Sequence, residues 1–163
     1  DAIYRLTNNE RCFFKTREPI VLQKGTICPF NSQNTAYRKE LFALMYLPTT
    51  VTFRFTDILR GLVAQPIMWL YGYNLGFTEA TVIQDRNEHN YLKDFESEIP
   101  CYLLAETVVN IVKDSIKEPL SMQDNLYNSY EALYRNNIVK KQELEILSDW
   151  LYDISICKNN LYS

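Results

Sequence analysis

The chain has one histidine, four glycines and no Cys-x-x-Cys pair. The lone His89 excludes a multi-histidine metal centre built from this sequence. Gly25, Gly61, Gly72 and Gly76 are scattered, so none of them belongs to a glycine-rich phosphate loop. Cys12, Cys28, Cys101 and Cys157 are equally dispersed, which argues against a zinc ribbon or a thioredoxin-like redox pair. Their even number fits two disulfides or four buried thiols. An excess of positive charge is also lacking. Lys and Arg total 17 against 20 Asp and Glu, a net of -3, so nucleic acid is disfavoured as a partner. No apolar run approaches the roughly 20 residues that cross a bilayer. Internal repeats, low-complexity stretches and flexible linkers are missing too.

What is present is apolar and aromatic. At 47% hydrophobic and 13% aromatic, 163 residues can bury a sizeable core as one domain or part of a larger one. The sequence opens on Asp1 rather than Met, and so reads as processed or as a piece of a longer protein. Short extended signals occur at Cys12–Phe14, Ile20–Leu22 and Thr26–Phe30, punctuated by Pro19, Gly25 and Pro29. Asn31–Thr35 is a polar joint whose Asn34 or Thr35 caps an expected helix over Ala36–Met45. A strand is expected over Val51–Phe55, then a helix from Thr56 to about Tyr71, kinked or broken at Pro66 and closed by Gly72. Asn74–Phe77 and Ala80–Gln84 read as two more strands. Beyond Asn90 the apolar period becomes helical through Ile99, Tyr102, Val108, Val112 and Ile116. Ser121–Asp124 forms a capping-box pattern before a further helix, and Lys140–Cys157 makes another. The expected fold class is therefore α/β, with a front over residues 1–100 and a helical tail over 101–163 packed on it.

Polar residues gather where strands are expected to meet helices, the usual place for a ligand in an open α/β sheet. Asp57 is either an ordinary first-turn aspartate favoured by the helix dipole or a general base aimed at a substrate hydroxyl. Arg60, three residues on, can pair with it or bind a phosphate. Asp85, Glu88 and His89 offer ligands to a divalent ion and Arg86 a grip on a diphosphate, although a solvated charged loop reads the same way. Asn31, Ser32, Gln33 and Asn34 suit sugar hydroxyls as well as they suit a capped turn. Tyr127, Tyr130 and Tyr134 have helical spacing and read as core and surface cladding.

Three blocks together resemble one family: TVTFRFTDILRGLVAQP (50–66), GYNLGF (72–77) and RNEHNYLKDFESE (86–98), preceded by CPFNSQNT (28–35). They are similar to the STELLO-type glycosyltransferases of the plant Golgi and their animal and protist relatives, over about half the chain and fading after Cys101. A more distant likeness links them to the reversibly glycosylated polypeptides, the UDP-arabinopyranose mutases. The resemblance implies the C-terminal, acceptor-side part of a GT-A nucleotide-sugar transferase, whose helical tail extends it. It implies that Asp57 is the catalytic base, that Asn31, Gln33 and Asn34 lie on the acceptor side, and that Arg60 and Arg86 face the donor diphosphate. Asp1 then takes the place of the last aspartate of a DxD-like motif and Asp85 that of a late ligand, together holding Mn²⁺. On this reading the nucleotide-binding half and any membrane anchor precede the chain, which belongs to the Golgi lumen or secretory pathway. The implied partners are a nucleotide-sugar donor and a glycan or protein acceptor. The alternatives are a non-catalytic scaffold of the same fold, whose tail organises a partner protein of a glycan-synthesis complex, and an unrelated α/β binding module.

Overall fold

The computed structural model describes residues 2–8, 10, 15–83 and 88–160. In chain order these form α1 (Ala2–Thr7), β1 (Ile20–Val21), 3₁₀ segments at Lys39–Met45 and Phe53–Phe55, and α2 (Thr56–Leu70). Then come β2 (Gly76–Phe77), α3 (Tyr91–Ser115), α4 (Met122–Arg135) and α5 (Gln142–Asn160). Both secondary-structure classes are present, but helix dominates, and the sheet is a single antiparallel pair with Ile20 opposite Phe77.

The axis of the molecule is α2. Every residue from Leu59 to Met68 is buried, so this helix has no solvent face over its central turns. Val108, Val109 and Val112 of α3 pack into the same core as Leu126, Tyr130 and Leu133 of α4 and Leu147 of α5. Side chains as fully covered as Leu59, Leu62 and Ile67 are each worth about 1.5–3 kcal/mol of burial. α3 runs without a break through residue 100, where the sequence reading divides the chain. α5 is anchored by the fully buried Glu143, whose carboxylate accepts the Tyr46 hydroxyl and the N–H groups of Thr49 (2.9 Å) and Thr50 (2.7 Å). The turn that leads into α2 is thereby fixed from the far end of the sequence.

Several local expectations hold. Gly72 follows the end of α2 at φ 76°, a left-handed position that glycine takes without a Cβ clash. Ser121 and Asp124 complete their reciprocal capping box at the start of α4. Others are corrected. Val51–Phe55 is not a strand; Phe53–Phe55 is a 3₁₀ turn that runs straight into α2, leaving Phe53 88% exposed and Phe55 buried. Among the described residues no partner strand lies beside it. Asn74–Phe77 contracts to Gly76–Phe77, and the described part of the next expected strand, 80–83, is unpaired. The helix expected over Ala36–Met45 is a shorter 3₁₀ segment starting after Arg38, with no side-chain cap. Pro66 does not end α2, which continues to Leu70. Burial on all sides holds the helix together across the hydrogen bond that proline cannot make. Cys28, Cys101 and Cys157 are free thiols, so the two-disulfide alternative does not apply, and Cys157 is exposed rather than buried. No helix among the described residues is long and apolar enough to cross a membrane.

Candidate functional site

One stripe of α2 carries the site. Positions 57, 61 and 65 are four residues apart and so stack on a single helix face. At position 65, the Gln65 side chain donates to the Cys28 carbonyl at 2.9 Å and accepts the Cys28 N–H at 3.1 Å. At Gly61 the missing side chain makes room for Phe30, because a Cβ there would stand 3.0 Å from Phe30 Cε1. At Asp57, Oδ2 accepts the Ser32 N–H at 2.9 Å. The segment Cys28–Ser32 is thus laid antiparallel along the helix, and its polar end arrives at the helix N-terminus.

The polar joint comes to Asp57 through Ser32. Asn31, Gln33 and Asn34 are all exposed. Asn31 Oδ1 accepts the Gln33 N–H at 3.2 Å, and Asn34 Nδ2 donates to Thr81 Oγ1 at 3.0 Å. Thr35 Oγ1 donates back to the Asn31 carbonyl at 2.8 Å and closes the turn. Asp57 is partly buried, and its Oδ1 accepts no hydrogen bond from a described residue. A carboxylate held by one oxygen and open at the other has the geometry a general base needs. Cys101 lies within its electrostatic reach. Burial first, then Glu98, with a smaller push from Asp57, raises that thiol to about 11.

Arg60 departs from the simple surface pair. Its guanidinium does not reach Asp57 but turns inward, with its carbon 5.7 Å from the Phe30 ring centre and 5.4 Å from that of Tyr37. It is 4% exposed, and neither Nε nor Nη2 has a hydrogen-bond partner. The buried hydroxyls of Tyr37 and Tyr130 are unpartnered as well. An unpaired buried donor costs about 1–3 kcal/mol, and more when charged. Burial raises the Tyr37 phenol, the Arg60 charge opposes the rise, and Asp57 adds to it. Sequence reading missed Tyr37 altogether, whereas Tyr130, read with Tyr127 and Tyr134 as core and surface cladding, is a core residue.

A second polar group sits at the start of α3. Arg54 Nη2 and His89 Nδ1 converge on Asp94 Oδ2 at 2.6 and 3.0 Å, and Tyr91 stacks on the His89 ring at 6.3 Å. His89 also lines an open depression with Leu6, Glu88 and Asn90. Its Nδ1 is therefore committed to a carboxylate. Asp94 had not stood out in the sequence. Among the described residues no three or more His, Cys, Asp or Glu side chains are grouped to hold a metal. The expected ligands Asp1 and Asp85, and the expected diphosphate contact Arg86, lie outside the described residues.

Comparison with known proteins extends the likeness beyond Cys101. Residues 54–161 match the family described as STELLO glycosyltransferases. The chain is also 25% identical over 136 residues to "Probable glycosyltransferase STELLO1" of Arabidopsis thaliana, covering 83% of this chain and 17% of that protein. The chain thus spans about a sixth of the length of this relative. No solved structure matches it. An accidental likeness in an unrelated binding module does not fit a match over most of the chain, from the base of α2 to the end of α5: this chain belongs to the STELLO glycosyltransferase family.

Proposed function

We propose that this chain is the acceptor-side part of a GT-A-type glycosyltransferase that moves a sugar from a nucleotide-sugar donor to a hydroxyl of a glycan or protein. The observation that carries the reading is Asp57, fixed by the Ser32 N–H at the meeting point of α2 and the polar joint. In the reaction, Asp57 Oδ1 takes the proton of the acceptor hydroxyl. That oxygen forms the new bond to the anomeric carbon while the bond from this carbon to the donor diphosphate breaks, and the diphosphate leaves with the electron pair. Asn31, Gln33 and Asn34 orient the acceptor, and Arg60 and Arg86 face the diphosphate. The described residues do not by themselves group three metal-ligating side chains. The reading gives Mn²⁺ to Asp1 and Asp85 in the full-length enzyme, where its chemistry would be Lewis-acid stabilisation of the leaving group. The Golgi lumen or another secretory compartment is the location this reading implies.

Thermal denaturation of the longest native form, with a panel of nucleotide sugars and with or without Mn²⁺, tests it. A ligand at 100 times its dissociation constant adds roughly 2.7 kcal/mol, readily visible in a melting curve. Stabilisation by one nucleotide class supports the transferase. No shift with any member of the panel, in a folded protein, counts against it.

One observation favours the scaffold alternative. Leu92, Ile99, Tyr102 and Leu103 of α3 are all exposed, an apolar surface suited to a partner protein. On that reading neither donor nor metal binds the full-length protein.

A further inference from the structure

Arg60 presents an arrangement that an ordinary buried arginine does not. Nε–H and one Nη2–H of a guanidinium point the same way and form the planar edge that grips a carboxylate or phosphate with two parallel hydrogen bonds. These are the two nitrogens left without a partner, and the side chain that carries them is 96% buried, being 4% exposed. Phe30 and Tyr37 stand on adjoining sides of it, their ring centres 5.7 and 5.4 Å from the guanidinium carbon and 6.5 Å from each other. Neither contact gives Nε or Nη2 a hydrogen-bond acceptor. Tyr37, one of the two covering residues, brings a hydroxyl that is itself buried and unpartnered. The Arg60 charge is felt at the hydroxyls of both Tyr37 and Tyr130, which places these groups in one neighbourhood.

We infer that Arg60 and the Tyr37 hydroxyl form a built site for a single oxyanion, held side-on by Nε and Nη2 beneath the Phe30–Tyr37 segment. Nε and Nη2 are both sealed from solvent in this conformation, so the anion enters as that segment lifts. The segment is the one that carries Asn31, Gln33 and Asn34. Filling the site therefore reorders the acceptor side, and the two events are coupled through one stretch of backbone. This deepens the reading of Arg60 given above, and rests on that reading only for the source of the anion, a phosphoryl group of the donor rather than a sugar carboxylate.

The test uses the longest native form at fixed ionic strength, titrated separately with inorganic phosphate, pyrophosphate and glucuronate. The readouts are the melting temperature and the ¹⁵N-detected Arg60 Nε–H resonance. Pyrophosphate or phosphate should raise the melting temperature and shift that resonance. Arg60→Lys, which keeps the charge and loses the planar edge, should weaken binding by about tenfold or more. Tyr37→Phe should weaken it several-fold while folding normally, and so serves if Arg60→Lys is unstable. Asp57→Asn removes a carboxylate felt at Tyr37 and should bind the anion at least as tightly as the parent, so loss of transferase activity and loss of anion binding are separable. A response to glucuronate alone would keep the oxyanion site and move its source to an acidic sugar. A folded parent that responds to none of the three, or an Arg60→Lys protein that binds as well as the parent, would overturn the inference.

Discussion

The Gln65 side chain and the Cys28 backbone exchange two hydrogen bonds, so α2 pairs with the extended segment much as a neighbouring strand would. Gln65→Leu keeps the volume and strands both backbone groups of Cys28. Each group left unsatisfied should cost about 1–3 kcal/mol. The urea midpoint should fall and the Cys28 amide should exchange faster; an unchanged midpoint would show that the pair contributes nothing.

Gly61 sets how closely that segment can lie. Gly61→Val places branched carbons where Phe30 already sits 3.0 Å from a single added Cβ. Overpacking of this kind typically costs about 1–3 kcal/mol, and displacing Phe30 should also weaken phosphate binding at Arg60. A variant with parental melting temperature and parental phosphate affinity would show that Phe30 gives way freely.

The thiols should separate by reactivity. Cys101 is partly buried and raised to about 11, whereas Cys157 is exposed. Only the thiolate reacts, so iodoacetamide at neutral pH should label Cys157 well before Cys101. Peptide mass mapping over time checks the order, and Cys101 labelled before Cys157 would contradict the packing of Cys101 against the core.

The Arg54–Asp94–His89 group predicts an acid-sensitive contribution to stability. Hydrogen bonding to Arg54 above all, opposed by burial and helped by His89, holds the Asp94 carboxyl below its ordinary 3.8. The folded state therefore takes up this proton less readily than the unfolded chain. The stabilisation is complete above the unfolded value and is lost as pH falls below 3.8 through the lower folded one. Asp94→Asn should lower the melting temperature at neutral pH and flatten its decline in acid. A parallel decline in both proteins would assign the acid sensitivity elsewhere.

Much of the helical framework was legible because its signals are local. Ser121 and Asp124 satisfy each other within one turn, and Gly72 ends α2 through its own backbone freedom. The same sequence misled at Val51–Phe55, where a strand-like run becomes a strand only if a partner lies beside it, and partners are a tertiary fact. At the site, Asp57 and the polar joint were legible as neighbours through the family likeness. The inward turn of Arg60 was not, because an arginine three residues after an aspartate reads as a surface pair until the burial of the whole helix is known. Gln65 and Gly61 gave no sign of their partners, which lie more than thirty positions earlier in the chain at Cys28 and Phe30.

The most direct test of the central claim is transfer by the Asp57→Asn enzyme in its longest native form, measured against the parent with saturating donor and acceptor. The amide keeps an oxygen for the Ser32 N–H, so the fold and donor binding should survive. A positioned base contributes roughly 10²–10⁴-fold, and turnover should fall by about that factor. Turnover within about tenfold of the parent would mean that Asp57 is not the base.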